Sequence, residues 1–290
     1  MMQVTLWGTR GSIPVSGSQF VRHGGATTCL EVMAGDEQII IDCGTGLAEF
    51  GKSAASMKRR DLHIYQTHMH WDHVQGFPFF RPLFNADNCV NLYAVERQGQ
   101  TMCDVLRGQM SQPTFPVGLD IIPAKLAFHE LEIIGDSVHG ELKIRWQEMT
   151  HPGGSTAYRF DYRGHSVVFS GDVEVQMGSF DDLVELSRGA DILIMDAQYF
   201  CEEYPMRRGF GHSTPIDAVE VALKAGVKRL VLTHHDPTHD DERLAQKLQI
   251  AREHAAPEHL LVENAYDGLV LHVEGLHTEQ DVRTILQASA

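Results

Sequence analysis

Short apolar runs rich in β-branched residues recur along this chain, separated by stretches of glycine, proline and charge. That pattern predicts strands over 4–7, 38–42, 62–66, 142–147, 156–162, 167–170, 191–195, 229–232 and 269–272. A helical period marks 240–255, where Leu244, Leu248 and Ala251 share a face and Pro257 follows, and also 279–287. A further helix is expected after Thr214. Asp217 completes a capping box, Pro215 suits the first helical position, Ile216, Val219 and Leu223 recur at helical spacing, and Gly226 provides the stop. No proline-rich or low-complexity linker divides the chain, so residues 1–290 are expected to form one domain of the α/β class.

The strand expected at 62–66 runs into Thr67-His68-Met69-His70-Trp71-Asp72-His73, which sets three imidazoles and a carboxylate within six residues. On an extended backbone, residues two apart share a face, so His68 and His70 can converge on one point. Asp72 and His73 follow as the chain turns and can reach a second point. Imidazole nitrogen and carboxylate oxygen suit zinc, with iron and manganese as alternatives. Four such groups are too dense for one closed tetrahedral site, and two metals fit better. A turn of solvated histidines is the ordinary alternative, and the density of the cluster argues against it.

Two metals need more ligands, and other strand ends carry them. His151 closes the run at 142–147, Asp172 closes the run at 167–170, and His234 with His235 close the run at 229–232. In this order the motifs resemble those of the metallo-β-lactamase superfamily. The resemblance extends from Gly8-Thr9-Arg10-Gly11-Ser12 through Asp42-Cys43-Gly44-Thr45-Gly46 to His234. It implies a four-layer αββα sandwich, two mixed β-sheets flanked by helices. It also implies that His68, His70 and His151 hold one metal, that Asp72, His73 and His234 hold the other, and that Asp172 bridges them. His234 is preferred to His235 because the family's histidine directly follows the threonine, here Thr233. Asp42 matches the family's structural aspartate. Two divalent cations roughly 3.5–4 Å apart lower the pKa of a shared water toward neutrality and clamp the oxygens of an in-line displacement. Asp72 and Asp172 are candidates to accept the proton.

The substrate class has to come from elsewhere. His212, in Phe210-Gly211-His212-Ser213-Thr214-Pro215, stands just ahead of a helix start, which attracts anions, phosphate among them. A plain loop histidine is the local alternative. The Gly-His-Ser-Thr segment resembles the histidine loop of the superfamily's phosphodiesterase branch, which includes ribonuclease Z and the phosphoribosyl cyclic phosphodiesterase of phosphonate breakdown. In that branch an acidic residue ending the preceding strand orients the histidine, and Asp196 stands at the matching position. Tyr199, Arg207 and Arg208, in the loop leading to His212, and Ser213 and Thr214 beside it are candidates to contact substrate; for the loop residues a solvated surface with aromatic anchors is the competing reading. Arg10 reads equally as a loop brace through a salt bridge.

Charge and length refine the choice. There are 24 Lys plus Arg against 39 Asp plus Glu, a net charge of −15, and no basic cluster beyond Lys58-Arg59-Arg60 and Arg207-Arg208. Long nucleic acid is therefore disfavoured as a partner. Ribonuclease Z enzymes bind tRNA through a protruding arm, inserted in many of them between the third metal histidine and the bridging aspartate; here only 152–171 lies there, filled by two strands and a turn. A small cyclic or nucleotide-type phosphodiester is the expected substrate, hydrolysed by a binuclear zinc enzyme. Armless ribonuclease Z-like RNA cleavage, lactamase-type, thioester or lactone hydrolysis, and a dinuclear-iron redox or sensor protein are the alternatives. The Asp196 and His212 pair argues against the lactamase group, and an intact His70 against the redox one.

The segment 77–116, with Phe79, Phe80, Phe84, Met102, Met110 and Phe115, is a candidate lid over the metals, with core packing as the default. No apolar run approaches a membrane span, and the five cysteines are odd in number without CxxC spacing, which together suggest a soluble cytoplasmic protein. Homodimerisation fits such relatives, although no interface stripe stands out.

Overall fold

The computed structural model describes residues 1–53, 56, 60–258 and 260–273; Lys58, Arg59 and the helix expected at 279–287 lie outside them. In the first half the strands are β1 (Met2–Gly8), β2 (Cys29–Ala34), β3 (Glu37–Ile41), β4 (Asp61–Tyr65), β5 (Cys89–Val95) and β6 (Lys125–Leu131). The second half supplies β7 (Gly135–His139), β8 (Leu142–Met149), β9 (Ser155–Tyr162), β10 (His165–Phe169), β11 (Ile192–Asp196), β12 (Arg229–Thr233), β13 (Leu261–Asn264) and β14 (Leu269–His272). They form two seven-stranded sheets, ordered β14-β1-β2-β3-β4-β5-β6 and β13-β12-β11-β10-β9-β8-β7.

Both sheets are mixed. Neighbours from β3 to β6 and from β10 to β13 are parallel, and the remaining neighbours are antiparallel. The central parallel strands β11 and β12 are buried along their whole length, with both faces covered, and read as apolar runs. In β3, Ile39 and Ile41 join the core between the sheets while Ile40 faces Phe50 and Phe77 on the outside. In β11, Ile192 and Ile194 point inward, and Leu193 and Met195 meet an outer helical layer.

That outer layer consists of α4 (Phe180–Ser187), α6 (Pro215–Ala225) and α7 (Asp241–Ala255). The first sheet is covered by α1 (Thr45–Phe50) and α3 (Met102–Gln109); two short helices, α2 (Trp71–Val74) and α5 (Tyr204–Arg207), lie at the site. Helices outside two packed sheets make the αββα sandwich that the resemblance implies. α6 starts and stops as its residues require: Thr214 and Asp217 form a reciprocal capping box, and Gly226 takes the left-handed conformation at φ 68. Leu193 is fully buried, so Leu193→Ala would cost about 2–5 kcal/mol.

The nine strands expected from pattern are present, with ends displaced by a residue or two. β2, β5, β6, β7 and β13 were not anticipated. Within 77–116, Phe80, Met102 and Met110 are buried against the first sheet, whereas Phe79 and Phe84 are exposed. No helix of the described residues is long and apolar enough to cross a membrane.

Candidate active site

The carboxyl ends of the parallel strands β3, β4, β10, β11 and β12 bring the polar residues together, as crevices at such strand ends commonly do. β4 releases the chain into the histidine segment, which Gln66 stitches down: its Nε2 donates to His68 O at 2.7 Å and to His73 O at 2.9 Å. Asp42, just past β3, accepts from Thr67 N at 2.8 Å and meets His73 Nδ1 at 2.7 Å. His68 and His70 precede α2, and its first turn sets Asp72 and His73 on the second side of the site.

Two groups of ligand atoms result, and a third overlaps the second. His68, His70 and His151 form the first; Asp72, His73, Asp172 and His234 form the second; Asp172 and His234 also lie with Asp196 and His212; within each, the atoms lie within 4.8 Å of one another. Asp172 joins them, with carboxylate oxygens 3.6 Å from His68 Nε2, 3.3 Å from His73 Nε2, 3.2 Å from His234 Nε2 and 3.9 Å from His151 Nε2. The histidines are presented by partners on their other nitrogens. His151 Nδ1 donates to Gly211 O at 2.8 Å, His234 Nδ1 meets Gln198 Oε1 at 2.9 Å, and Asp42 holds His73. Such outer contacts fix the tautomer that leaves Nε2 free for a metal.

The electrostatics fit cations. Burial pushes His68 well below the ordinary imidazole range and His151 down to about 4, so both are neutral ligands at neutral pH. Burial acts in the same direction on His73 and His234, but Asp172 and Asp72 outweigh it, lifting His73 well above that range and His234 to about 9. The carboxylates of the second group therefore favour positive charge beside them. His68 Nε2, buried and without a hydrogen-bond partner, and the His70 Nδ1 to His151 Nε2 approach of 2.9 Å are the further signs that these atoms converge on an electrophile. The residues fit a pair of divalent metals.

Backbone geometry confirms that the site is held under constraint. Asp42 and His234 sit at φ 64 and φ 57, in the left-handed region that costs a non-glycine residue about 1–3 kcal/mol. Two glycines admit the histidines: a Cβ on Gly11 would lie 2.4 Å from the His234 ring, and one on Gly211 would lie 2.2 Å from His151 Nδ1.

His212 stands beside both groups. Its Nδ1 is 2.8 Å from Asp196 Oδ2, and its ring stacks on His234 at 4.8 Å between centroids and lies 5.2 Å from His151. Asp196 is fully buried and also accepts from Val173 N at 3.1 Å and Gln198 N at 3.0 Å, so the carboxylate is fixed before it fixes the imidazole.

The weaker candidates are placed differently. Tyr199 is buried edge-on to His212, under the Arg207 guanidinium at 5.0 Å, and Arg207 pairs with Asp236 at 3.2 Å. Arg208 points to Met177 Sδ at 3.0 Å. Ser213 Oγ donates to Val173 O at 2.6 Å, and Thr214 caps α6. Arg10 braces the loop through backbone carbonyls rather than a salt bridge, donating to Gly24 O, Asp236 O and His239 O. His235 turns away from the site to Ala265 O at 2.9 Å. Cys201 is exposed.

Several contributors escaped sequence reasoning. Glu174, buried, accepts from Tyr204 Oη and from the backbone N of Gly209 and Gly211, and so shapes the loop that carries His212. Gln198 orients His234, and Lys247, fully buried, donates to Ala197 O at 2.8 Å and Gln198 O at 2.7 Å. Only the helical face of 240–255 hinted at Lys247, which breaks an otherwise apolar position.

Residues 37–235 match the Beta-lactamase superfamily domain. The chain belongs to the metallo-β-lactamase superfamily. Like other members of that superfamily's phosphodiesterase branch, it is a metal-dependent hydrolase. Among its superfamily relatives, Ribonuclease Z of Brevibacillus brevis is 25% identical over 288 residues, covering 83% of this chain and 87% of the relative. Ribonuclease Z of Limosilactobacillus fermentum is 27% identical over 241 residues, 67% of this chain and 76% of the relative. The fold is shared with the metallo-β-lactamase fold protein YhfI from Bacillus subtilis, at a TM-score of 0.70 and 20% identity over 94% of this chain and all (100%) of that one. A diphosphatase from the PhnP family superposes at a TM-score of 0.65 and 21% identity over 94% of this chain and 98% of its own.

Proposed function

We propose that this chain hydrolyses a phosphodiester, with a small cyclic or nucleotide-type diester as substrate and two divalent cations, zinc foremost, as cofactor. The observation that carries this reading is the buried Asp196–His212 pair, 2.8 Å apart and stacked against a metal-ligand histidine. Relatives named Ribonuclease Z and a neighbour described as a diphosphatase support chemistry at phosphorus.

In this reading His68, His70 and His151 hold one cation, Asp72, His73 and His234 the second, and Asp172 is shared. When bound, such a pair activates water as a nucleophile and neutralises charge on phosphoryl oxygens. The protein's own part is positioning and proton transfer. Asp196 takes the Nδ1–H of His212, which leaves Nε2 to face the ligand cluster. As an imidazolium, that edge donates to a phosphoryl oxygen or protonates the departing alkoxide. Asp72, whose Oδ2 accepts from Ser12 N at 2.7 Å, is placed to receive the nucleophile's proton.

An RNA substrate is the second reading, and the Ribonuclease Z relatives favour it. Against it stand the net charge of −15 and the residues between His151 and Asp172, which are taken up by the β9–β10 hairpin. Assay of cyclic nucleotides, cyclic ribose phosphates, dinucleotides and tRNA precursors with zinc and with manganese separates the two. Turnover of a small diester is expected; cleavage of tRNA precursors alone would favour the RNA reading.

A further inference from the structure

Beside the histidine cluster lie two cavities that meet at Met69 and Val105. One, of about 200 Å³, is walled by His68 and His70. The other, of about 590 Å³, continues past Met69 to Trp71, Phe79 and Phe115. The larger groove therefore adjoins the histidines through Met69 and Val105, which it shares with the smaller cavity.

The larger groove has two properties that together define an occupant. It is aromatic and open: Trp71 is 65% exposed and Phe79 61% exposed, and Phe79 meets Phe115 edge-to-face at 5.9 Å. A large exposed apolar patch of this kind on a soluble protein marks a binding surface. It is uncharged, since no Lys, Arg, Asp or Glu lines it. Gln109 also lines it, but its Nε2 donates to Val74 O at 3.1 Å and its Oε1 is buried rather than open to the groove. Charge is held by the histidine and aspartate cluster and by Arg97, which lines the smaller cavity, and the larger groove offers uncharged, flat apolar faces.

We infer that this groove is a subsite for a nucleobase carried on the scissile diester, stacked against Trp71 and Phe79. The inference rests on the phosphodiesterase reading and narrows it to a base-bearing diester. Stacking needs only a π-face, which every nucleobase has. Of the aromatic residues in the loop before His212, Tyr199, Phe200 and Tyr204 are buried and only Phe210 is exposed. Of the segment proposed as a lid, Phe79 and Phe115 serve this groove, while Phe80, Met102 and Met110 belong to the core.

The test reads binding rather than turnover. Zinc-loaded full-length protein is titrated with adenosine 5′-monophosphate, ribose 5-phosphate and decyl phosphate, by calorimetry and by tryptophan fluorescence. Adenosine monophosphate is expected to bind about tenfold more tightly than ribose 5-phosphate and to quench Trp71. The preference should fall toward one in Trp71→Ala and in Phe79→Ala; should Trp71→Ala lose metal, Phe79→Ala decides. Equal affinities in the unaltered protein, or a preference unchanged in Phe79→Ala, would overturn the inference. So would tighter binding of decyl phosphate, which assigns the groove to an acyl chain, or ligand-free quenching that grows with protein concentration, which assigns it to a second copy. Failure to hydrolyse any diester would instead strike the phosphodiesterase reading and leave this titration to decide the groove.

Discussion

Asp42 Oδ2 lies 2.7 Å from His73 Nδ1, with both side chains fully buried, and the opposite nitrogen of the same ring faces Asp172 at 3.3 Å. The carboxylate sets which nitrogen carries the proton and raises the basicity of the one aimed at the second ligand group. Asp42→Asn keeps the side-chain shape and tolerates the left-handed backbone, so it removes mainly the charge. We expect it to weaken metal binding at that group by about 10–100-fold. Competition with a chelator measures this, and unchanged affinity would contradict it.

Gly11 and Gly211 approach the ligand rings more closely than any side chain permits. Gly11→Ala should displace His234 and lower occupancy of the second group, while Gly211→Ala, which also strains a backbone at φ 95, should displace His151 and lower occupancy of the first. Metal stoichiometry measured by mass spectrometry on each variant checks the assignment. Full loading of both variants would show that the rings have room to move.

Lys247 offers a pH signature. Burial lowers its ammonium pKa from 10.5 to about 7. Below about pH 7 the lysine is charged in both folded and unfolded states, and the folded state bears the cost of burying that charge. Between about 7 and 10.5 the folded protein has released a proton that the unfolded chain still binds, so this group's contribution to stability improves as pH rises. The Tm of the unaltered protein should therefore rise relative to that of Lys247→Met between pH 6 and pH 9. Parallel Tm curves over that range would rule out the titration.

The proposed metal ligands are legible because their chemistry restricts residue type: only His, Asp and a few others serve, and they cluster at strand ends. Asp196 and His212 were legible through resemblance, and the structure brings them within hydrogen-bonding distance. What escaped notice depends on tertiary contacts. β2 buries Glu31, satisfied by Trp7 Nε1 and Gln38 Nε2, so a charge interrupts an otherwise core strand. β6 and β7 end their sheets and are only partly buried, so their pattern is mixed. Glu174, Gln198 and Lys247 act through partners distant in sequence, for which no local pattern exists. Trp71 stands among candidate ligands, and nothing in its sequence position distinguishes an exposed aromatic face from a packed one; its exposure on the groove does.

The central claim is that His212, held by Asp196, works on phosphorus beside a metal pair that it does not itself hold in place. Hydrolysis of bis(p-nitrophenyl) phosphate by zinc-loaded His212→Ala, with zinc content measured on the same sample, tests it most directly. The account predicts undiminished zinc with kcat lower by about 10²–10⁴-fold; unchanged hydrolysis at full zinc content would contradict it.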